Sequence, residues 1–231
     1  MKRLLWIVGI VVVVVVAAVA AGPWVYREFI AGEADPELAL PAQTQAATTD
    51  INGTWTVVPG PSDEANRTQA GYRVDEELRG SPLTVNGRTT KVSGEVVVAD
   101  SKLAKANFTI DVASITSPES ARDGQFRGAD ILDVARFPTA EFKATQPVDL
   151  AAVPETGAAV TVDVPGSMTI KGTARDVIAK VNVQRAGDTV IAAASVPVTW
   201  TDFGVTPPDF AGFVTVQPTG TIEILANLVK E

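Results

Sequence analysis

Residues 107–145 read NFTIDVASITSPESARDGQFRGADILDVARFPTAEFKAT, and this stretch decides the fold. Phe108, Ile110 and Val112 fall on one side of an extended chain, with Asn107, Thr109 and Asp111 on the other. Ala140, Phe142 and Ala144 alternate in the same way with Glu141, Lys143 and Thr145. A period of two with one apolar face predicts half-buried antiparallel strands. Between them, Ser117 is placed to cap a helix whose first position is Pro118, with Glu119 in the first turn. Gly124 and Gly128 interrupt that segment, Asp130 opens a second short turn, and Phe137-Pro138 closes it. Two strands joined through helical cover, instead of a tight hairpin, predict a lid over a curved sheet.

The same alternation recurs down the chain. Val160, Val162 and Val164 form one apolar set, Met168 and Ile170 a second, and Val177, Ala179, Val181 and Val183 a third. Val196, Val198 and Trp200 follow, and Ile222, Ile224, Ala226 and Leu228 end the series. Asn86-Gly87 reads as a hairpin turn between Leu83 and Lys91, and Ala186-Gly187-Asp188 as another. About eight strands, each with one apolar face, predict an all-β antiparallel barrel, because closure removes exposed edges. A β-sandwich accounts for the same pattern.

Five runs carry a resemblance. Ser114-Ile115-Thr116 is followed by Arg122-Asp123-Gly124-Gln125-Phe126-Arg127-Gly128-Ala129-Asp130-Ile131-Leu132-Asp133 and then Arg136-Phe137-Pro138-Thr139-Ala140-Glu141-Phe142. Gly166-Ser167-Met168-Thr169-Ile170-Lys171-Gly172-Thr173 and Thr201-Asp202-Phe203-Gly204-Val205 lie downstream. In order and spacing these runs resemble the YceI-like family. The resemblance implies an extended lipocalin-like barrel that holds a polyisoprenoid or another long-chain amphiphile. The family's arginine two positions before Asp202 is Trp200 here, so a head-group contact from that arginine does not carry over. Histidine, frequent near the family's first strand, is absent from this chain.

On this reading the candidate cavity residues are Phe108, Ile110, Ala140, Phe142, Met168, Ile170, Trp200 and Phe203 from the barrel. The lid adds Phe126, Ile131, Leu132 and Phe137, which either pack it onto the rim or form an apolar doorway. Arg122, Arg127 and Arg136 either meet a polar head there or pair with Asp123, Asp130 and Asp133. Phe203, Phe210 and Phe213, around Pro207-Pro208, either line the opposite mouth or pack into the core.

Ahead of the barrel, Met1-Lys2-Arg3 precedes an uncharged run from Leu4 to Ala21 that includes six consecutive valines, Val11 to Val16. Such a run covers about 27 Å as a helix, and continuing it through Trp24 and Tyr26 spans a hydrocarbon core of about 30 Å. Residues 1–26 are therefore expected to be a transmembrane anchor, and Lys2 and Arg3 orient the rest outside the cytoplasm. Ala18-Val19-Ala20 also meets the small-x-small rule of a cleaved signal, which would give a secreted form, but the run outlasts the usual signal core of about 7–15 residues. Residues 27–50, with Pro36, Pro41 and little periodicity, read as a flexible linker, and 51–231 as one barrel domain.

Setting aside Lys2 and Arg3, 17 of the 19 basic residues remain against 27 acidic ones. That balance excludes a nucleic-acid surface and leaves membrane attachment to the N-terminal helix. Without histidine or cysteine there is no Ser-His-Asp triad, no thiolate nucleophile and no ordinary zinc set. The expected function is lipid binding, sequestration or transport at the bacterial envelope, with no cofactor and no catalysis. A structural or stress-related envelope protein with a filled barrel is the first alternative, and an enzyme that orients a lipid in the cavity for carboxylate chemistry is the second.

Overall fold

The computed structural model describes residues 6, 34–42, 45–78, 80–208 and 214–231. Its strands are β1 (Gly53–Val58), β2 (Gln69–Leu78), β3 (Ser81–Thr89), β4 (Val92–Ala99), β5 (Lys102–Asp111), β6 (Thr139–Ala144), β7 (Val148–Asp149), β8 (Val160–Ile170), β9 (Thr173–Ala186), β10 (Thr189–Thr199) and β11 (Val214–Lys230). The helix α1 (Ser120–Phe126) and a 3₁₀ turn at Val112–Ser114 lie between β5 and β6, and a second 3₁₀ turn, Trp200–Phe203, follows β10. The anchor expected over 1–26 lies outside the described residues apart from Trp6. Among the described residues, no helix is long and apolar enough to cross a membrane.

β5 and β6 pair antiparallel, with Phe108 opposite Phe142 and Ile110 opposite Ala140, as the alternation requires. β1 pairs with β4 on one side and β11 on the other. The strands β1, β4, β5, β6, β8, β9, β10 and β11 thereby close an antiparallel ring, which rules out the sandwich. β11 closes it by serving two partners along one edge: Val214–Leu225 run beside β2 and Asn227–Lys230 beside β1. β3 ends the sheet beyond β2. There the Arg88 N–H donates to the Thr116 carbonyl at 2.9 Å and Thr116 N–H donates back at 3.0 Å, so the insert after β5 continues the wall.

Asn86-Gly87 does not turn the chain. It runs through the middle of β3, and the hairpin turns instead around Gly80. Gly87 stands opposite Tyr72, where a Cβ would come within 2.6 Å of Tyr72 Cε1, so the ring occupies the space that glycine leaves. The Asn86 amide is committed to Asp35: Asn86 Nδ2 donates to Asp35 Oδ2 at 2.9 Å, and Asp35 N–H donates to Asn86 Oδ1 at 2.8 Å. The turn expected at Ala186-Gly187-Asp188 is present between β9 and β10, with Gly187 at φ +60.

The flexible linker expected over 27–50 is corrected for 34–42 and 45–50, which lie as a strap on the outside of the barrel. Leu38 and Leu40 cover Ile191, Ala193 and Leu225, outward-facing side chains of β10 and β11. Glu223 draws Arg73 and Arg88 together at 2.9 and 3.2 Å. Arg73 donates onward to the Asp35 carbonyl at 2.6 Å, and Arg88 to the Pro36 carbonyl. Further along, Gln184 Nε2 donates to the Pro41 carbonyl at 3.0 Å and Thr48 N–H to the Gly187 carbonyl at 2.7 Å. The composition of this stretch carries no periodicity because its partners are side chains of distant strands.

A consequence is testable by truncation. A fragment of residues 51–231 uncovers Ile191, Ala193 and Leu225 and strips the clasp of its acceptors. It is expected to be at least about 2 kcal/mol less stable than a fragment of 34–231. Denaturant melts of the two fragments measure the difference, and equal midpoints would show that the strap contributes nothing.

Candidate ligand-binding site

The insert between β5 and β6 forms one end of the barrel. The helix begins at Ser120, later than Pro118, because the Ser117 hydroxyl and N–H both donate to Asp123 Oδ1, at 2.8 and 2.9 Å, and tie the loop down first. Arg127 donates to the Ile115 carbonyl at 2.6 Å, and Leu132 N–H to the Phe126 carbonyl at 3.2 Å. These bonds set Phe126 against Tyr72 of β2, the rings stacked with centroids 4.6 Å apart.

Beneath α1 lies a cavity of ≈ 460 Å³. Phe126, Ile131 and Leu132 supply its lid side, while Tyr72, Val74 and Leu83 form the β2–β3 wall. Val214 and Val216 of β11 face it, with Trp200, Val205, Pro207 and Pro208 completing the rim. Pro207 and Pro208 therefore share the mouth with the lid and do not line an opposite one. Phe203 is 2 % exposed in the core, and Phe210 and Phe213 lie outside the described residues.

The polar residues of the mouth are Glu76, Glu119, Arg122 and Gln125. Arg122 pairs with Glu76 at 3.8 Å across the cavity, not with the aspartates of its own insert. Arg127 lies 3.9 Å from Asp123, and Arg136 pairs with Asp133 at 3.3 Å on the surface. Burial pushes the Glu76 carboxyl above its ordinary range, and the Arg122 charge opposes that shift without cancelling it. Burial likewise raises the Tyr72 hydroxyl.

The sign of the Glu76 shift makes a prediction. An acid whose pKa is raised by folding contributes its full stability below the unfolded value and loses it as pH rises through the folded value. Relative to a Glu76→Gln variant, the parent is therefore expected to become less stable as pH climbs from 4 to 7. Paired thermal melts across that window check it, and a parent that gains on the variant with rising pH would reverse the assignment.

A second cavity of ≈ 100 Å³ lies deeper in the barrel. Trp55, Phe108, Phe142 and Ile224 line it together with the small Ala179, Ala192, Ala194 and Ala226. Trp55 satisfies its indole by donating to the Ile51 carbonyl at 2.8 Å. The two cavities share no lining residue. Along β10, Val198 stands between Val196, which lines the inner cavity, and Trp200, which lines the mouth.

Of the candidate residues, Phe126, Ile131, Leu132 and Trp200 meet at the mouth, and Phe108 and Phe142 at the inner cavity. Ile110, Ala140, Met168, Ile170 and Phe203 are buried but line neither. Phe137 rests outside, where a Cβ on Gly172 would come within 2.5 Å of its Cε1, with the Arg136 guanidinium 5.2 Å from its ring centre. Sequence reasoning missed Tyr72, Val74, Leu83, Val205, Val214 and Val216. The alternation of Tyr72, Val74 and Glu76 was the available signal, and it shows which side chains share a face without showing what that face meets.

A closed antiparallel barrel with an apolar cavity under a helical lid defines a lipocalin-like protein. The YceI-like domain model matches residues 61–228, most of the sequence, and the chain belongs to that family. It is similar to a UPF0312 protein of Vibrio parahaemolyticus, 27% identical over 106 residues, 45% of this chain and 52% of that one. A UPF0312 protein of Vibrio cholerae is 33% identical over 67 residues, 28% of this chain and 35% of that one. The chain thus spans about half or less of the length of these curated relatives. Among solved structures, Burkholderia cenocepacia BcnA superposes with a TM-score of 0.53 at 25% identity, covering 69% of this chain and 95% of that one. A polyisoprenoid binding domain from Saccharophagus degradans superposes with a TM-score of 0.55 at 17% identity, covering 77% and 98%.

Proposed function

We propose that this protein binds a long-chain, isoprenoid-like amphiphile in its barrel, outside the cytoplasm, and sequesters or carries it while residues 1–26 tether it to the membrane. The observation that carries this reading is the lidded mouth cavity, whose ≈ 460 Å³ falls among ordinary ligand sites of about 300–1,000 Å³. Family membership and the polyisoprenoid binding of the Saccharophagus domain support it. Burying a hydrocarbon tail is favourable by about 0.8 kcal/mol per methylene, so the polar rim need only orient the head. Binding without catalysis fits a chain that has neither histidine nor cysteine.

Native mass spectrometry of the full-length protein, purified from its host, tests the reading. An adduct with the mass of an isoprenoid-like lipid is expected. The second reading, a filled barrel that works through its surface, is favoured by the buried Ile110, Met168, Val198 and Phe203, which line neither cavity. A protein that never retains lipid, in any preparation, would leave that second reading standing.

A further inference from the structure

The strap runs the length of the barrel in one direction. At its later end, Thr48 bonds to Gly187 in the β9–β10 turn, and Lys230 donates to the Asp50 carbonyl at 3.2 Å. At its earlier end, Ala34 and Asp35 share a surface cleft with Arg73, Asp75, Pro82 and Thr84 of the β2–β3 hairpin. Val74, Glu76 and Leu83 of that hairpin line the mouth. The register fixes the height: Arg73 is level with Thr221, and Thr221 with Pro197 of β10. Pro197 is close to Trp200 at the mouth. Asp188, in the far turn, is nine positions away along β10, or about 30 Å of strand.

The described part of the strap therefore begins, at Ala34, near the mouth. Only residues 27–33 separate Ala34 from the end of the proposed anchor, and seven residues reach at most about 25 Å when fully extended. Inverting the barrel, with the Gly187 turn against the bilayer, would ask those residues to cover a span of about 30 Å, at or beyond their full reach. The clasp keeps this geometry from slipping, because Glu223 and its two arginines are largely buried, at 6 % and 15 % side-chain exposure.

Resting on the tethered lipid-binding reading, we propose that the strap holds the mouth toward the outer face of the anchoring membrane. The partner of the rim is a lipid surface, and the barrel exchanges its amphiphile with the bilayer that carries it. The apolar rim residues Pro207, Pro208 and Val214 are the part of the mouth suited to that contact.

The absence of cysteine makes the test direct. Single variants Pro208→Cys and Asp188→Cys of the full-length protein, each labelled with a donor dye, are reconstituted in phosphatidylcholine vesicles that carry an acceptor on the head group. Energy transfer is expected to be clearly stronger from position 208 than from 188. Inserting 20 Gly/Ser residues between 33 and 34 should shrink the difference while leaving the melting temperature unchanged. Equal or reversed transfer in the parent, or a difference that survives the insertion, overturns the proposal. Protein that does not sediment with the vesicles defeats the anchor reading and this proposal together. A lipid adduct found without the orientation defeats the orientation alone.

Discussion

Replacing Val216 with Trp is expected to empty the mouth of lipid while leaving the melting temperature close to that of the parent. Val216 is a half-buried β11 residue that faces the ≈ 460 Å³ cavity under the lid. An indole placed there enters open space and displaces no packed atom, so the overpacking penalty that a filled core would exact does not arise. The ligand does lose room. Excluding one five-carbon isoprene unit removes about 4 kcal/mol of burial, close to a thousandfold in affinity. The lipid-bound fraction by native mass spectrometry and the thermal melt of the same sample check both halves. A variant that keeps its lipid at the parent level would show that the mouth is not the binding site.

Ala140→Trp is expected to do the reverse. By sequence alone Ala140 reads as a cavity wall, since it shares an alternating face with Phe142. It is 9 % exposed, stands opposite Ile110 in β5, and lines neither cavity. A ring forced into that wall has no space to enter, and overpacking of this kind costs about 1–3 kcal/mol or more. For a chain of this size that lowers the melting temperature by about 2–12 °C. An unchanged melt would mean that the wall around Ala140 holds room for an indole. Together the two variants separate the faces of the barrel that hold a ligand from those that hold the fold.

Much of the architecture was legible in the chain. The alternation of Phe108 with Ile110 and of Ala140 with Phe142 predicted paired strands, and β5 and β6 are paired in that register. The Gly187-Asp188 turn was readable because a two-residue loop needs a positive φ, which glycine supplies. The Asn86-Gly87 signal misled for a reason outside the local sequence. Tyr72 on the neighbouring strand uses the missing Cβ, and Asp35 from the strap uses the amide. The strap itself reads as a linker in sequence because its contacts, from Leu38 and Leu40 to Ile191 and Leu225, join positions far apart in the chain.

The candidate site divides along the same line. Side-chain period determines which residues of a strand share a face, and that much is local: Phe108, Phe142, Met168 and Trp200 all point inward as expected. It does not determine how far along the barrel each residue sits, which depends on the stagger between strands. The register shift between Val97 and Val98 and the one between Val216 and Gly220 change that stagger. Val216 lies at the second of these shifts and lines the mouth with Trp200, while Met168 is fully buried. Sequence by itself determined an all-β antiparallel fold with a helical insert, because alternation and turn chemistry act over a few residues; closure into a barrel instead of a sandwich depends on the pairing of β1 with β11. The position of the cavity, the Glu76–Arg122 pair across it and the strap's direction were decided only by tertiary structure, because each depends on contacts between strands that the chain brings together only when the ring closes.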